Sequence, residues 1–266
     1  MARSYHIRHF VFAAGVSAFK PYPPRPEQSL VFYPRQKEIV EYTTESRTLC
    51  RPPAMVMNQY TARTNRHIAN DFLVIIVELQ PGILHRIMGE ALRDFTNIDL
   101  DATLIMPSQF SLVTEQLQNT DDYGVMIAVI EQLLARLWKS LQLQSDPVDK
   151  AAKYVLNQDF NVSIDWLARQ SCLSVRQFER KFRSRIGVGP KTYARLTRLH
   201  QTHMLKSQSP GLNWLDIALR CGYHDYQHLA KDYQEFAGCS PNELLNQQGM
   251  SPERLFSIPE TFALPD

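Results

Sequence analysis

The stretch Ser174-Val175-Arg176-Gln177-Phe178-Glu179-Arg180-Lys181-Phe182, closed by Gly187 and Pro190, decides the reading of this 266-residue chain because it occurs twice. Phe178, Arg180, Phe182, Gly187 and Pro190 return as Leu229, Lys231, Tyr233, Gly238 and Pro241 at a constant offset of 51. Upstream, Leu167-Ala168 returns as Ile217-Ala218. Repetition at a fixed period marks one supersecondary unit used twice.

Each copy reads as a short helix, a turn and a second helix. Ile164, Leu167 and Ala168, and in the second copy Leu215, Ile217 and Ala218, place apolar residues at helical spacing. The turn of the second copy is Cys221-Gly222-Tyr223, where glycine accepts a positive φ after a helix end. Ser174 and Asp225 are the expected N-caps of the second helices. Phe178, Phe182 and Ile186 then recur at i, i+4 and i+8 as one buried stripe, which turns Arg176, Gln177, Glu179, Arg180 and Arg183 outward. The second copy buries Leu229, Tyr233 and Phe236 and turns out Tyr226, Gln227, His228 and Lys231. Gly187 and Gly238 stop these helices, and Pro190 and Pro241 fall in the first turn of the next ones. This is the helix-turn-helix plan, in which the second helix enters the major groove. Between the copies, 190–204 reads as one helix with Tyr193, Leu196, Leu199 and His203 near one face. It would hold two recognition helices at the separation of adjacent grooves, about 34 Å.

Charge agrees with position. The chain is only +2 overall, but residues 147–245 hold 14 Lys and Arg against 9 Asp and Glu, while the remainder holds 15 against 18. Between Arg176 and Lys206 nine basic residues face only Glu179. A charge run by itself describes a solvated helix face; its place on matched outward positions is what points to nucleic acid. Arg can donate a bidentate pair to guanine, Gln can pair with adenine and Glu can accept from cytosine. Lys191, Arg195 and Arg198 suit phosphates, which add affinity without sequence information.

At these residues the chain resembles the AraC/XylS family. The carriers are Ala168, Ser174, Phe178-Glu179-Arg180-Lys181-Phe182, Gly187, Pro190, Arg198-Leu199, Ile217-Ala218, Gly222-Tyr223, Lys231, Tyr233 and Gly238-Cys239-Ser240-Pro241. Cys172 stands where the family often has Gly, Thr202 where Ala is usual, and Leu229 and Tyr233 replace Phe. The resemblance implies a transcription regulator and not an enzyme. It implies double-stranded DNA and RNA polymerase as partners, with a small-molecule effector or a homodimer contact at the N-terminal domain. Carried over by position, base contacts fall on Arg176, Glu179 and Arg180, and on Tyr226, Gln227 and Lys231; the outward Gln177 and His228 complete the candidate set.

The N-terminal part has another pattern. Leu30–Tyr33, Glu38–Tyr42, Met55–Met57 and Phe72–Leu79 are short runs rich in β-branched and aromatic residues. Residues 81–88 read as a helix opened by Pro81. Family members commonly build a cupin-like β-barrel here. Gly124–Leu143 is an amphipathic helix, with core packing and subunit contact both open. The expected class is therefore α+β. It comprises a β-rich sensor or dimerisation domain over 1–113, a helical linker over 114–146, an all-α domain of two helix-turn-helix units over 147–248 and a tail over 249–266, with 143–147 as the joint. The longest apolar run, 72–79, is too short for a bilayer of about 30 Å, so no membrane partner is expected. Residues 1–6 carry charge with no apolar run behind them, so no secretory signal is expected. Cys50, Cys172, Cys221 and Cys239 lack paired spacing and suit a reducing compartment, the cytoplasm. His6, His67 and His85 have no metal-ligand spacing, so neither metal nor cofactor is expected. The rival readings are an enzyme that uses the repeat as a DNA anchor, and a pure protein-interaction subunit.

Overall fold

The computed structural model describes residues 1–12, 18–141, 146–157, 162–249 and 251. Most of the joint expected at 143–147 and nearly all of the tail lie outside these residues.

Among the described residues nine strands make two antiparallel sheets: β1 (Ala2–Val11), β2 (Ala18–Tyr22), β3 (Ser29–Phe32), β4 (Ile39–Tyr42), β5 (Arg47–Cys50), β6 (Ala54–Met57), β7 (Thr64–Ile68), β8 (Asp71–Leu79) and β9 (Asp99–Asp101). One sheet has the order β1-β8-β3-β6-β9 and the other β2-β7-β4-β5. Strands β3 and β6 are buried at every position, as continuous apolar runs should be. The ten-residue β1 is not evident from its sequence because Arg3, His6, Arg8 and His9 break the apolar pattern. Pairing with β8 makes it a strand, Ile7 lying opposite Ile75 and Phe10 opposite Phe72.

Between the sheets Phe10, Tyr33, Val40, Tyr42, Met57, Phe72 and Val74 form one core. The outer face of the larger sheet carries a second core. It is completed by α1 (Ile83–Met88), α2 (Ala102–Ile105), α3 (Pro107–Gln118) and α4 (Tyr123–Ser140). Two expectations change here. Helix α1 opens at Gly82, whose φ of 82° sets the entry, so Pro81 lies outside its first turn. In α4, Met126, Val129, Ile130, Leu133 and Leu137 share a core with Phe110, Val113 and Leu117 of α3 and with Leu30, Phe32 and Val77. The apolar stripe is thus spent inside the domain, and the boundary expected at residue 113 falls within α3.

The C-terminal part is all helix: α5 (Pro147–Asn157), α6 (Ile164–Gln170), α7 (Val175–Ile186), α8 (Pro190–Gln208), α9 (Trp214–Arg220), α10 (Tyr226–Ala237) and α11 (Pro241–Gln248). Two cores correspond to the two copies. Leu167, Phe178, Phe182 and Ile186 pack with α5 and Tyr193; Ile217, Leu229, Tyr233 and Phe236 pack with Leu196, Leu199 and Leu244. No described helix is long and apolar enough to cross a membrane.

Candidate nucleic-acid interface

Helices α6 and α7 form one helix-turn-helix, α9 and α10 the other. Ser163 and Asn213 cap the first helices, and Ser174 and Asp225 cap the second. The turns differ by one residue. Leu173 N and Tyr223 N donate to the equivalent carbonyls of Ala168 and Ala218, after which the second copy inserts His224 before its cap. That insertion explains why the offset grows to 51 in the second helices. Cys172 takes φ of 54° at the place where Gly222 takes 73°, so the first copy runs the same left-handed turn on a residue poorly suited to it.

The eight candidate base-contacting residues divide by geometry. Arg176, Arg180, Gln227 and Lys231 are exposed, and they are repeat equivalents at positions four apart on α7 and α10. Tyr226 is exposed and Glu179 half-buried beside them. Gln177 and His228, also equivalent, fold back on their caps: Gln177 Oε1 accepts from Ser174 N at 3.1 Å, and His228 Nδ1 lies 3.0 Å from Asp225 Oδ1. Both are held at the helix start and are less free to reach a base edge.

On α7 the outward face continues into a groove of about 270 Å³ lined by Arg176, Glu179, Arg180, Arg183 and, from the β domain, Arg93. Four guanidinium groups against one carboxylate make it strongly electropositive. Nothing in the sequence signals Arg93, which lies in the 3-10 turn Leu92–Phe95.

The residues expected at phosphates also divide. Lys191 is exposed at the start of α8. Arg195 instead binds Asp232 at 2.7 Å and Glu235 at 2.8 Å and lies over the Phe236 ring, locking α8 to α10. Arg198 lies over the Tyr223 ring and donates to Gly222 O at 3.4 Å. These two arginines hold the second unit together and leave Lys191 as the phosphate candidate of the three.

Two cavities lie away from this face. A small one of about 60 Å³ between the sheets is lined by Phe10, Val31, Tyr33, Met57 and Phe72 with Arg8, Lys20 and Arg66. It shares His6, Arg25, Glu27 and Glu78 with a cleft of about 550 Å³, whose other wall is His200, Gln201 and Met204 of α8. Burial, with Arg25 and His203 adding to it, drives the His200 imidazole well below its usual range. Among the described residues no group of three or more His, Cys, Asp or Glu could hold a metal ion.

Residues 167–247 match the family model described as a helix-turn-helix domain. The chain is 32% identical over 106 residues to the transcriptional regulator ArgR of Pseudomonas aeruginosa, covering 37% of this chain and 31% of ArgR. It is 30% identical over 121 residues to the transcriptional activator RhaS of Escherichia coli, covering 42% of each. The chain therefore spans less than half the length of these curated relatives. In three dimensions it is similar to apo ToxT of Vibrio cholerae, with a TM-score of 0.52 and 10% identity over 92% of this chain and 98% of that one, a likeness of fold. The class is thus a two-domain α+β protein with a helical C-terminal module. More narrowly, residues 167–247 are a helix-turn-helix domain, and the chain around them is similar in sequence to the regulators ArgR and RhaS.

Proposed function

We propose that this chain is a sequence-specific transcription regulator that lays α7 and α10 in adjacent major grooves of double-stranded DNA. The observation that carries the reading is the pairing of Arg176 with Gln227 and of Arg180 with Lys231, exposed at equivalent places on two recognition helices. These four side chains read base edges, with Glu179 and Tyr226 beside them and Lys191 on a phosphate. The β domain receives a small molecule at the cavity and cleft. A molecule seated in the cleft touches both domains, and occupancy there alters DNA binding or contact with RNA polymerase. Self-association, where it occurs, uses the β domain.

The test is selection of genomic fragments by the full-length protein beside an Arg180→Ala, Lys231→Ala double variant at one salt concentration. A discrete upstream site enriched by the wild type and lost in the variant is expected. Equal recovery of random DNA by both proteins defeats the reading, and a log-log salt slope near zero would favour a protein-interaction subunit instead.

A further inference from the structure

The β domain touches both helix-turn-helix units, in each at or just beyond the end of the second helix. At the end of α7, Gln28 Nε2 donates to Ile186 O at 3.1 Å and Thr96 Oγ1 donates to Gly187 O at 2.9 Å. The Gln28 amide also donates to Asn58 Oδ1 at 3.0 Å, and Asn58 Nδ2 donates to Leu92 O at 2.8 Å. Gly187 lies so close that a Cβ on it would stand 2.9 Å from Asn58 Nδ2. At the end of α10, Arg63 donates to Cys239 Sγ at 3.5 Å and to Gln247 Oε1 of α11 at 2.7 Å. Arg63 is steadied on its own side by Asn65 Oδ1 at 3.0 Å and, through its carbonyl, by the Thr43 hydroxyl. Gly187 and Gly238 are repeat equivalents, so Cys239 corresponds to Val188.

The last carbonyls of a helix have no partner within it and must find one elsewhere. At α7 that partner is the β domain. The connecting helix α8 spans 19 residues, about 28 Å, and is bolted to the second unit by Arg195 and by Thr202 against the Tyr233 hydroxyl at 3.1 Å. Its join to the first unit is apolar packing, with Tyr193 and Ala194 against the core that α5 and α7 share and Tyr193 edge-on to Phe182. Apolar packing is non-directional and fixes twist less closely than hydrogen bonds do. The hydrogen bonds from Gln28, Thr96 and Arg63 therefore supply a second span besides α8, between the C-terminal ends of both recognition helices.

We propose that the β domain is a splint that sets the separation and twist of α7 and α10, with Gln28, Thr96 and Arg63 as positioning residues that never touch DNA. The inference rests on the DNA reading above. It also gives the cavity a mechanical outlet. Gln28 directly precedes β3 and Asn58 directly follows β6. The cavity-lining Val31 and Met57 belong to those strands, so a shift of either strand is delivered to Gly187.

The experiment measures binding to the selected operator, to derivatives with one or two base pairs inserted between its halves, and to each half alone. The proteins are wild type, Gln28→Ala with Thr96→Val, Thr96→Val alone as the mildest change, and Arg63→Ala, each first shown to keep its helical circular dichroism. One inserted base pair should cost the wild type about 30-fold and the splint variants under about fivefold, with half-site binding unchanged within about twofold. Variants as intolerant of insertion as the wild type overturn the splint and leave α8 as the sole spacer. Tighter binding to the original operator overturns it too, because the contact would then restrain the recognition helices from DNA. A wild type that binds every spacing and random DNA alike defeats the DNA reading itself, an outcome distinct from either.

Discussion

Replacing Asp149 by alanine strikes the joint between the two domains, and the structure says how hard. Asp149 stands in the first turn of α5 with a side chain only 7% exposed. Its Oδ1 accepts from Arg185 Nε of α7 at 2.6 Å, and its Oδ2 accepts from Arg185 Nη2 and from Arg86 Nη2 of α1, both at 2.7 Å. The carboxylate also lies against the bare Cα of Gly82. One acid thus ties the first recognition helix to the β domain through a two-arginine clamp. Truncation leaves Arg185 with Asp146 at 3.6 Å and removes the joint acceptor of both guanidinium groups. Removing one partner of a buried ion pair costs about 3 to 5 kcal/mol, and because both arginines keep some water the lower end, about 3 kcal/mol, is expected. Urea unfolding followed by circular dichroism and by the fluorescence of Trp138, Trp166 and Trp214 reads the loss. A double-mutant cycle with Arg86→Ala isolates the interdomain part, expected at about 1 to 2 kcal/mol. A loss below about 1 kcal/mol for Asp149→Ala, or a coupling near zero, would refute the argument that this clamp joins the domains. Gly82→Ala supplies an independent check: its Cβ would overlap the carboxylate at a φ of 82°, so it should destabilise at least as much.

Other outcomes follow from single contacts. Lys191→Ala should weaken binding to all DNA alike and lower the salt slope by about one, whereas Arg180→Ala should cost about 1 to 3 kcal/mol at one base pair. Arg195→Ala should instead lower the thermal midpoint of the helical domain, because its carboxylate partners on α10 lose their cation; an undiminished midpoint with a reduced salt slope would return it to the phosphates. Gly222→Ala should destabilise by about 1 kcal/mol, while Cys172→Gly should be neutral or stabilising, since both sites hold a left-handed backbone; equal losses at both would contradict the matched turns. In the β domain, burial pushes the Asp99 carboxyl up, but Arg51, Tyr42 and Tyr60 outweigh it and hold the carboxyl below its ordinary range. A depressed folded pKa contributes stability that is complete above about pH 4 and is lost as pH falls through the lower folded value. Unfolding midpoints measured from pH 5 down to 3 should therefore fall more steeply in wild type than in Asp99→Asn, and parallel slopes would remove Asp99 from the account.

By itself the sequence determined whatever is local or repeated. The caps Ser174 and Asp225, the stripes of Phe178 and Phe182 and of Leu229 and Tyr233, and the stops Gly187 and Gly238 specify each helix-turn-helix within about thirty residues, because helix periodicity and capping act between near neighbours. The apolar strands β3, β4, β6 and β8 were legible for the same reason. Tertiary structure decided what depends on partners far along the chain. Strand β1 exists through β8, and α4 is core because the larger sheet meets its stripe. Arg195 and Arg198 turn inward to carboxylates and a ring that no spacing rule connects to them. Arg93 reaches the α7 groove, and Gln28 reaches Ile186 across 158 residues. A charged or amide side chain carries the same letter whether it faces DNA, a carboxylate or a helix end. Only the fold decides which of these it meets, because the free energy of such a contact depends on its burial and on the partner beside it.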